Sequence, residues 1–291
     1  MAKQTPKDRY IKANGIRIHY LDWGGGDKPV LVLAHGLGGN AHAWDSFIRS
    51  GLAPADKYRI IAIDQRGHGD SDHTRDYSIQ RFVEDFRAFA DKMDFGKYDY
   101  LGHSLGARHG MAYAGDDWKH LNHLVLVDFG PEMERAGATQ VRGNSVQRPT
   151  SFRTMEEAVA FLRDQNPTRT AEQVRETAQY ALRENYAGKI VWKQDPELGW
   201  ISGGFGLKEV PYLWEQVAKI RCNTLIVRGA NSNVLGTGVL ARMLEVMPTA
   251  KSVEIADAGH GVPQDQPEAF WGAVNAFLKE PSRPKKKVRS K

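Results

Sequence analysis

The stretch LGHSLG, residues 101–106, places a single serine, Ser104, between two glycines. It follows an apolar and aromatic run at 98–102 and precedes a run of small residues at 107–114. The first run is typical of a buried strand and the second of a helix. A sharp strand-to-helix turn crowds the backbone, and flanking glycines relieve that crowding. The pattern predicts an exposed serine hydroxyl at the end of a strand, with a purely structural glycine turn as the alternative.

Two further glycine-rich turns suggest partners for this serine. HGLGG at 35–39 follows the short strand pattern 30–34, and DAGHG at 257–261 follows another at 252–256. If Ser104 attacks a carbonyl carbon, the N–H groups of Leu37 and Leu105 are positioned to receive the oxyanion. His260, on a loop at a strand end, is the predicted general base.

Short apolar runs alternate with helical patterns through the first 128 residues and return near the C-terminus. The predicted strands are Ile16–Tyr20, Val30–Ala34, Arg59–Ile63, Tyr98–Gly102, His123–Asp128, Thr224–Arg228 and Ser252–Ala256. Only Ile16–Tyr20 alternates like an exposed strand; the others are near-continuously apolar, which indicates a sheet covered on both faces. The helix predicted over Ser78–Met93 carries phenylalanines on one face and Ser78 as N-cap. This alternation predicts an α/β fold with a doubly wound, mostly parallel sheet.

The pattern changes between about residues 131 and 214. Thr154 and Thr170 each begin a capping-box signature, and strand patterns of comparable strength are lacking. We interpret this segment as a helical cap inserted into the core. The predicted divisions are 1–130 and 215–280 for the core, 131–214 for the cap and 281–291 for a basic disordered tail.

Taken together, these motifs resemble α/β-hydrolase fold enzymes with a helical cap, over roughly residues 10 to 280. DQRGHGDS at 64–71 is similar to that family's D-x-R-G-x-G-x-S turn, which is structural there. The four motifs are specific for the fold and much less so for the substrate.

The catalytic acid departs from the family's usual pattern. Members commonly carry an aspartate after the strand that matches Thr224–Arg228, where this chain has Asn233. An amide cannot stabilise an imidazolium as a carboxylate does. Asp128 ends the preceding predicted strand and keeps the order Ser, Asp, His, so we predict Asp128 as the acid. Asp257 is a weaker rival.

A serine nucleophile excludes the haloalkane dehalogenase and epoxide hydrolase branches, which the chain resembles but which need an aspartate there. Ester, amide or thioester hydrolysis through an acyl-enzyme is the favoured reaction. The alternatives are hydrolysis of a carbon–carbon bond in a ring-cleavage product, a cofactor-free lyase or oxygenase reaction, and a non-catalytic ligand-binding protein. The sequence implies no cofactor and no metal.

The predicted cap is rich in arginine. Arg142 and Arg148, expected on an irregular segment over the pocket, are candidates to clamp a substrate carboxylate. The predicted aromatic wall comprises Trp192, Trp200, Phe205 and Trp214. The run DFGPE at 128–132 and the arginine-bearing cap loosely resemble (acetamidomethylene)succinate hydrolases. We therefore expect a small-molecule substrate that bears a carboxylate.

Charge and composition narrow the classes of partner. The net charge of +5 comes largely from the tail SRPKKKVRSK, so the body lacks the basic face of a nucleic-acid-binding fold. We expect no membrane span and no signal peptide. The single cysteine, Cys222, suits a cytoplasmic location, and a homodimer is left open.

Overall fold

A computed structural model describes residues 5–51, 57–165, 169–199 and 209–282. Its strands, in chain order, are β1 (Lys7–Ala13), β2 (Ile16–Asp22), β3 (Val30–Ala34), β4 (Arg59–Ile63), β5 (Tyr98–His103), β6 (Leu121–Val127), β7 (Ser151–Phe152), β8 (Leu182–Glu184), β9 (Ile190–Trp192), β10 (Asn223–Gly229) and β11 (Ala250–Ile255). Its α-helices are α1 (Asp45–Arg49), α2 (Ile79–Met93), α3 (Leu105–Asp117), α4 (Arg135–Val146), α5 (Met155–Gln165), α6 (Ala171–Ala181), α7 (Val210–Lys219), α8 (Thr237–Val246), α9 (Val262–Asp265) and α10 (Pro267–Leu278).

Eight strands form one sheet in the order β1-β2-β4-β3-β5-β6-β10-β11. The six strands from β4 to β11 are parallel, whereas β1 and β2 pair antiparallel at one side. The carboxyl ends of β3, β5, β6, β10 and β11 therefore meet at a single edge of the sheet. The predicted doubly wound, mostly parallel α/β fold is confirmed.

Helices cover both faces of the sheet. One apolar cluster includes side chains of α2, α3, α7 and α8, and the other includes side chains of α1 and α10. All five residues of β3 are buried, because each of its faces is covered. Phe86 and Phe89 of α2 lie in the first cluster, at the helical spacing that the sequence shows.

The first hairpin differs from its prediction. Strand β2 was expected to be exposed, but it lies between β1 and β4, and four of its seven residues are buried. Strand β1 was missed, since most of its residues are exposed and show no apolar alternation. Asn14 and Gly15 join the two strands, both with positive φ (47° and 80°), as a two-residue hairpin turn requires.

We call residues 131–209, which lie between β6 and α7, the insertion. It is not purely helical, because β7, β9 and β8 form a small antiparallel sheet in it. Those strands are two or three residues long, too short for a periodic signal. Thr170 and Gln173 make the complete capping box at the start of α6. The predicted boundary at 214 falls inside α7, which packs on the core through Leu213 and Val217.

None of the helices in the described ranges has the length and apolar character needed to cross a bilayer. Trp200, Phe205 and the basic tail from residue 283 lie outside the described residues. The cytoplasmic location and the homodimer stay predictions.

A buried ion pair ties α2 to the turn that follows β4. Arg66 donates to both carboxylate oxygens of Asp85, at 2.6 and 2.8 Å, and both side chains are buried. The second of these oxygens also accepts a hydrogen bond from Asn14 at 2.8 Å. Asp85→Ala leaves the Arg66 charge buried and unpaired, so we expect it to lower the free energy of unfolding by about 3–5 kcal/mol. Urea denaturation followed by circular dichroism measures this loss.

Glu84→Ala, on the same helix, is the matched control. Glu84 pairs with Arg81 in solvent, at 2.6 Å, so its removal is expected to change stability far less. Equal losses in the two variants would contradict a special role for the buried pair.

Candidate active site

Ser104 stands at a sharp turn between β5 and α3. Its backbone has φ 55° and ψ −112°, a conformation that an L-residue rarely adopts. A Cβ on Gly102 would lie 2.4 Å from the Gly106 backbone, and one on Gly106 would lie 2.3 Å from the Ala34 carbonyl oxygen. Gly102 is therefore required by the close approach of the first turn of α3, and Gly106 by the close approach of β3. The turn holds the Ser104 hydroxyl at the sheet edge.

Three side chains from different strand ends form a hydrogen-bond chain at this edge. The imidazole of His260 lies 2.9 Å from Ser104 Oγ through Nε2 and 2.7 Å from Asp128 Oδ2 through Nδ1. With Nδ1–H donating to the carboxylate, Nε2 is left unprotonated and accepts the serine proton. Ser104 and Asp128 follow paired strands, since His103 of β5 lies opposite Val127 of β6.

The Asp128 carboxylate is fully buried. Oδ1 accepts the N–H of Gly229 at 3.0 Å, and the Asp128 N–H donates to Val227 at 2.8 Å. Its φ of 52° turns the side chain off the strand, and aspartate tolerates that region better than most residues.

The other two acid-loop candidates point elsewhere. Asn233 is partly exposed and donates to Gln140 of α4 at 2.6 Å. Asp257 is exposed, and its carbonyl accepts from Gln266 at 3.5 Å. Of the three residues, Asp128 is the one whose carboxylate contacts His260 in the structure.

The turn with Leu37 lies against the serine. A Cβ on Gly36 would come within 3.1 Å of Ser104 Cβ, so glycine permits this close approach. The side chain of His35 holds the 35–39 turn in place. Its Nδ1–H donates to the Gly36 carbonyl at 2.7 Å, and its Nε2 accepts from the Gln65 N–H at 3.2 Å. Burial lowers the pKa of His35 and keeps the ring neutral. Leu105, on the other side of Ser104, begins α3.

His103 supports the His260 loop. Its Nε2–H donates to the His260 carbonyl at 2.8 Å, which restrains the loop that carries the imidazole. Burial and the neighbouring His260 lower the pKa of His103 to about 4, so its ring is neutral near neutral pH. This contact could not be predicted from the sequence, because a histidine between a glycine and a serine has no pattern that indicates its partner.

The insertion packs on loops at the same edge of the sheet. The Asp195 N–H donates to the Gly67 carbonyl at 2.8 Å, and the rings of His42 and Tyr180 stack at 3.4 Å. Glu176 of α6 forms an ion pair with Arg49 of α1. These contacts place the insertion against α1 and the loops that follow β3 and β4.

Arg148 of the insertion lies beside the 35–39 turn. Its guanidinium stacks 3.4 Å from the centre of the Trp192 ring and donates to the Gln194 side chain. A Cβ on Gly38 would be 3.5 Å from this guanidinium. Burial lowers the Arg148 pKa to about 10, and among the described residues no carboxylate forms an ion pair with it. Arg148 is partly buried, and a desolvated cation without a counter-ion is suited to bind an anionic group.

The remaining predicted binding residues have other roles or positions. Arg142 lies on helix α4 and is exposed, contrary to the irregular segment expected there. Trp192 supports Arg148, and its indole N–H donates to the Pro149 carbonyl at 2.7 Å. Trp214 is buried in the core, with Arg242 stacked on it at 3.8 Å, so it does not wall the site.

A second desolvated arginine, Arg169, was not among the residues predicted from the sequence. Burial lowers the pKa of Arg169, and the charge of Asp265 partly offsets that effect. Asp265 accepts the N–H of Gly259, next to His260, at 2.9 Å. Arg169 is one of many arginines in the insertion, and sequence alone does not separate it from those in solvent.

One group of described residues has metal-ligand spacing. Ligand atoms of His19, Asp64 and Asp70 lie within 4.8 Å of one another. Asp64 already accepts from His19 Nδ1 at 2.7 Å and from Asp70 N–H at 2.8 Å. Burial opposes protonation of His19, but the hydrogen bond and charge of Asp64 outweigh it and raise the His19 pKa. We interpret this network as holding the 64–71 turn.

Comparison with known proteins agrees with this architecture. The sequence is 29% identical over 268 residues to a 3-hydroxybutyrate-oligomer hydrolase of Cupriavidus necator, covering 84% of this chain and 87% of that protein. It is 26% identical over 256 residues to a 2-(acetamidomethylene)succinate hydrolase of Mesorhizobium japonicum, covering 87% and 89%. The crystal structure of E-2-(acetamidomethylene)succinate hydrolase superposes with a TM-score of 0.83 at 22% identity, over 94% of this chain and all of that one.

The profile described as "Alpha/beta hydrolase family" matches residues 31–273, from β3 to α10. The relatives named above are hydrolases of small substrates. The chain therefore belongs to the alpha/beta hydrolase family and is a hydrolase enzyme.

Proposed function

We propose that this hydrolase cleaves an ester or amide bond of a small, carboxylate-bearing substrate through an acyl-enzyme on Ser104. The observation that carries the proposal is the hydrogen-bond chain from Ser104 Oγ through His260 to Asp128, at 2.9 and 2.7 Å. The oriented base makes a neutral serine hydroxyl a nucleophile near neutral pH.

The reaction has two halves. His260 Nε2 takes the proton as Ser104 Oγ bonds to the carbonyl carbon, and the N–H groups of Leu37 and Leu105 receive the oxyanion. The intermediate then collapses, the bond to the leaving oxygen or nitrogen breaks, and His260 protonates that atom. Water, activated by the same imidazole, attacks the acyl carbon and releases the acid and free Ser104. Asp128 stabilises the imidazolium in both halves.

Arg148 gives the proposal its substrate class. Its guanidinium is partly buried beside the 35–39 turn, and no carboxylate in the described part of the chain pairs with it, so a substrate carboxylate would supply the missing counter-ion. Arg169 lies within electrostatic range of Asp265, which contacts the His260 loop, and offers a second cation for such a substrate. The substrate named for one relative is a substituted succinate, and that named for the other is an oligomer of a hydroxy acid. Both compounds carry carboxylate groups, which agrees with the inference from Arg148.

The alternative reaction, hydrolysis of a carbon–carbon bond, is tested by product analysis. Hydrolysis of a carbon–carbon bond releases no alcohol or amine, whereas hydrolysis of an ester or amide does. Paired ester and amide substrates with a common acyl group distinguish the two favoured bond types.

The nucleophile is tested with a fluorophosphonate, which forms a bond to an activated serine. We expect stoichiometric labelling of the wild-type protein by intact mass spectrometry and a modified peptide that contains Ser104. Ser104→Ala is expected to abolish labelling with little loss of stability, because the hydroxyl fills no core space. Full labelling or turnover in that variant would refute the assignment.

The identity of the acid is tested by exchanging carboxylate and amide. Asp128→Asn removes the charge that stabilises the imidazolium, so we expect kcat and kcat/KM to fall together by about 10⁴-fold. Asn233→Asp is expected to change neither by much, because that side chain faces Gln140. If Asp128→Asn lowered kcat only slightly while Asn233→Asp raised it strongly, the catalytic acid would have to be assigned to the loop after β10.

The carboxylate site is tested by pairing each acidic substrate with its methyl ester. Arg148→Ala is expected to raise KM for the acid by about 10- to 100-fold, the worth of a charged hydrogen bond, and to leave the ester nearly unchanged. Arg142→Ala is the matched control, an exposed arginine of the same insertion, and is expected to affect neither. Equal effects of Arg148→Ala on acid and ester would show that the arginine serves only the fold.

A further inference from the structure

The loop after β10, residues 229–235, contacts the Asp128 carboxylate directly. Ser232 Oγ donates to Asp128 Oδ2 at 2.5 Å, and the same oxygen accepts the His260 Nδ1–H at 2.7 Å. Two donors thus converge on one carboxylate oxygen, while Gly229 N–H holds the other at 3.0 Å.

The neighbours of Ser232 determine where its proton points. Ser232 Oγ accepts the N–H groups of Val234 and Leu235, at 3.1 and 3.4 Å. A hydroxyl has two acceptor positions and one proton. Because two amides occupy the acceptor positions, the proton is directed to Asp128, and the hydroxyl dipole favours the ionised carboxylate.

The loop is held in place independently of Asp128. The buried Arg228 guanidinium donates to the carbonyls of Leu235, Ser232 and Ala230, at 2.8, 3.2 and 3.3 Å. Arg228 also pairs with Glu254 at 2.5 Å. The Ser232 hydroxyl is thereby preorganised, which is what a group that orients a catalytic side chain requires.

We infer that Ser232 is a positioning residue, which fixes the Asp128 carboxylate against His260 and attenuates its charge. This inference rests on the proposed function, since it assigns Ser232 a role through Asp128. Without the hydroxyl, Oδ2 loses a donor and the carboxylate gains freedom to rotate away from Nδ1. Where the Asp128–His260 contact persists, the carboxylate charge is no longer shared with the Ser232 hydroxyl, so it favours the protonated imidazole more strongly.

Among the described residues, the ionisable groups in contact with His260 include Asp128 after β6 and His103 at the end of β5. Asp265 of α9 accepts from the neighbouring Gly259 N–H, and Arg169 of the insertion lies within electrostatic range of Asp265. Substitution of Ser232 removes none of these ionisable groups, and Asp128 is the one among them that the Ser232 hydroxyl contacts. A shift of the pH profile in that variant therefore reports on the Asp128–His260 pair.

The test follows the rate of fluorophosphonate labelling of the full-length protein between pH 5 and about 9, which needs no knowledge of the substrate. In Ser232→Ala we expect the limiting rate to fall by about 10- to 100-fold and the acid limb to move to higher pH. Ser232→Thr keeps a hydroxyl and is expected to recover most of the rate. Asn233→Ala, in the same loop but bonded to Gln140, is the matched control and is expected to retain the wild-type profile.

A second measurement, which does not depend on the labelling rate, uses Ser232→Cys as a further variant in case Ser232→Ala folds poorly. The low-field proton resonance of the Asp128–His260 hydrogen bond is expected to shift in Ser232→Ala and Ser232→Cys and to return in Ser232→Thr. A Ser232→Ala protein with the wild-type rate, acid limb and resonance would overturn the role of Ser232. If Asp128→Asn still lowers the labelling rate in that case, the proposed function stands. If the wild-type protein is not labelled, or if Asp128→Asn is labelled at the wild-type rate, the proposed function fails and the role of Ser232 fails with it.

Discussion

The site depends on one buried carboxylate. Asp128 has no solvent exposure, and its charge is stabilised by Gly229 N–H, Ser232 Oγ and His260 Nδ1 at 3.0, 2.5 and 2.7 Å. A buried anion is unstable without such donors. Their convergence fixes the ring of His260, and with it the contact between Nε2 and Ser104. The parallel sheet makes this convergence possible, because β5, β6 and β10 end side by side.

The insertion carries the positively charged residue of the proposed site, Arg148. It contacts the loops after β3 and β4 and places Arg148 beside the 35–39 turn. The guanidinium is fixed by Trp192 and Gln194, so little side-chain entropy remains to be lost on binding. In the proposed function, the core positions the reacting groups, and the insertion provides a cation for the substrate carboxylate.

Much of the architecture was predictable from the sequence because its signals are local. Strands β3 and β4 were predicted with their observed bounds, since a continuous apolar run marks a strand covered on both faces. The turn at Ser104 was recognisable because close packing there excludes all residues but glycine on both sides. Strand β1 and the sheet of the insertion were not, because exposed or very short strands lack periodicity.

The long-range contacts of the site were less accessible. Ser232 and Asp128 are 104 residues apart, and a serine in a loop has no distinguishing pattern. Arg142 and Arg148 look alike in sequence, and only packing separates the exposed helical arginine from the buried one. Trp214 was predicted to wall the pocket with the other aromatic residues of the cap, and only the packing of α7 on the core shows that it is buried elsewhere.

The most direct measurement of the central claim is a crystal structure of the protein after reaction with a small alkyl phosphonate. We predict a covalent bond to Ser104 Oγ and a phosphoryl oxygen within about 3.1 Å of the N–H groups of Leu37 and Leu105. The Asp128–His260 contact should persist in the adduct. An adduct on another residue, or an imidazole turned away from Asp128, would contradict the account.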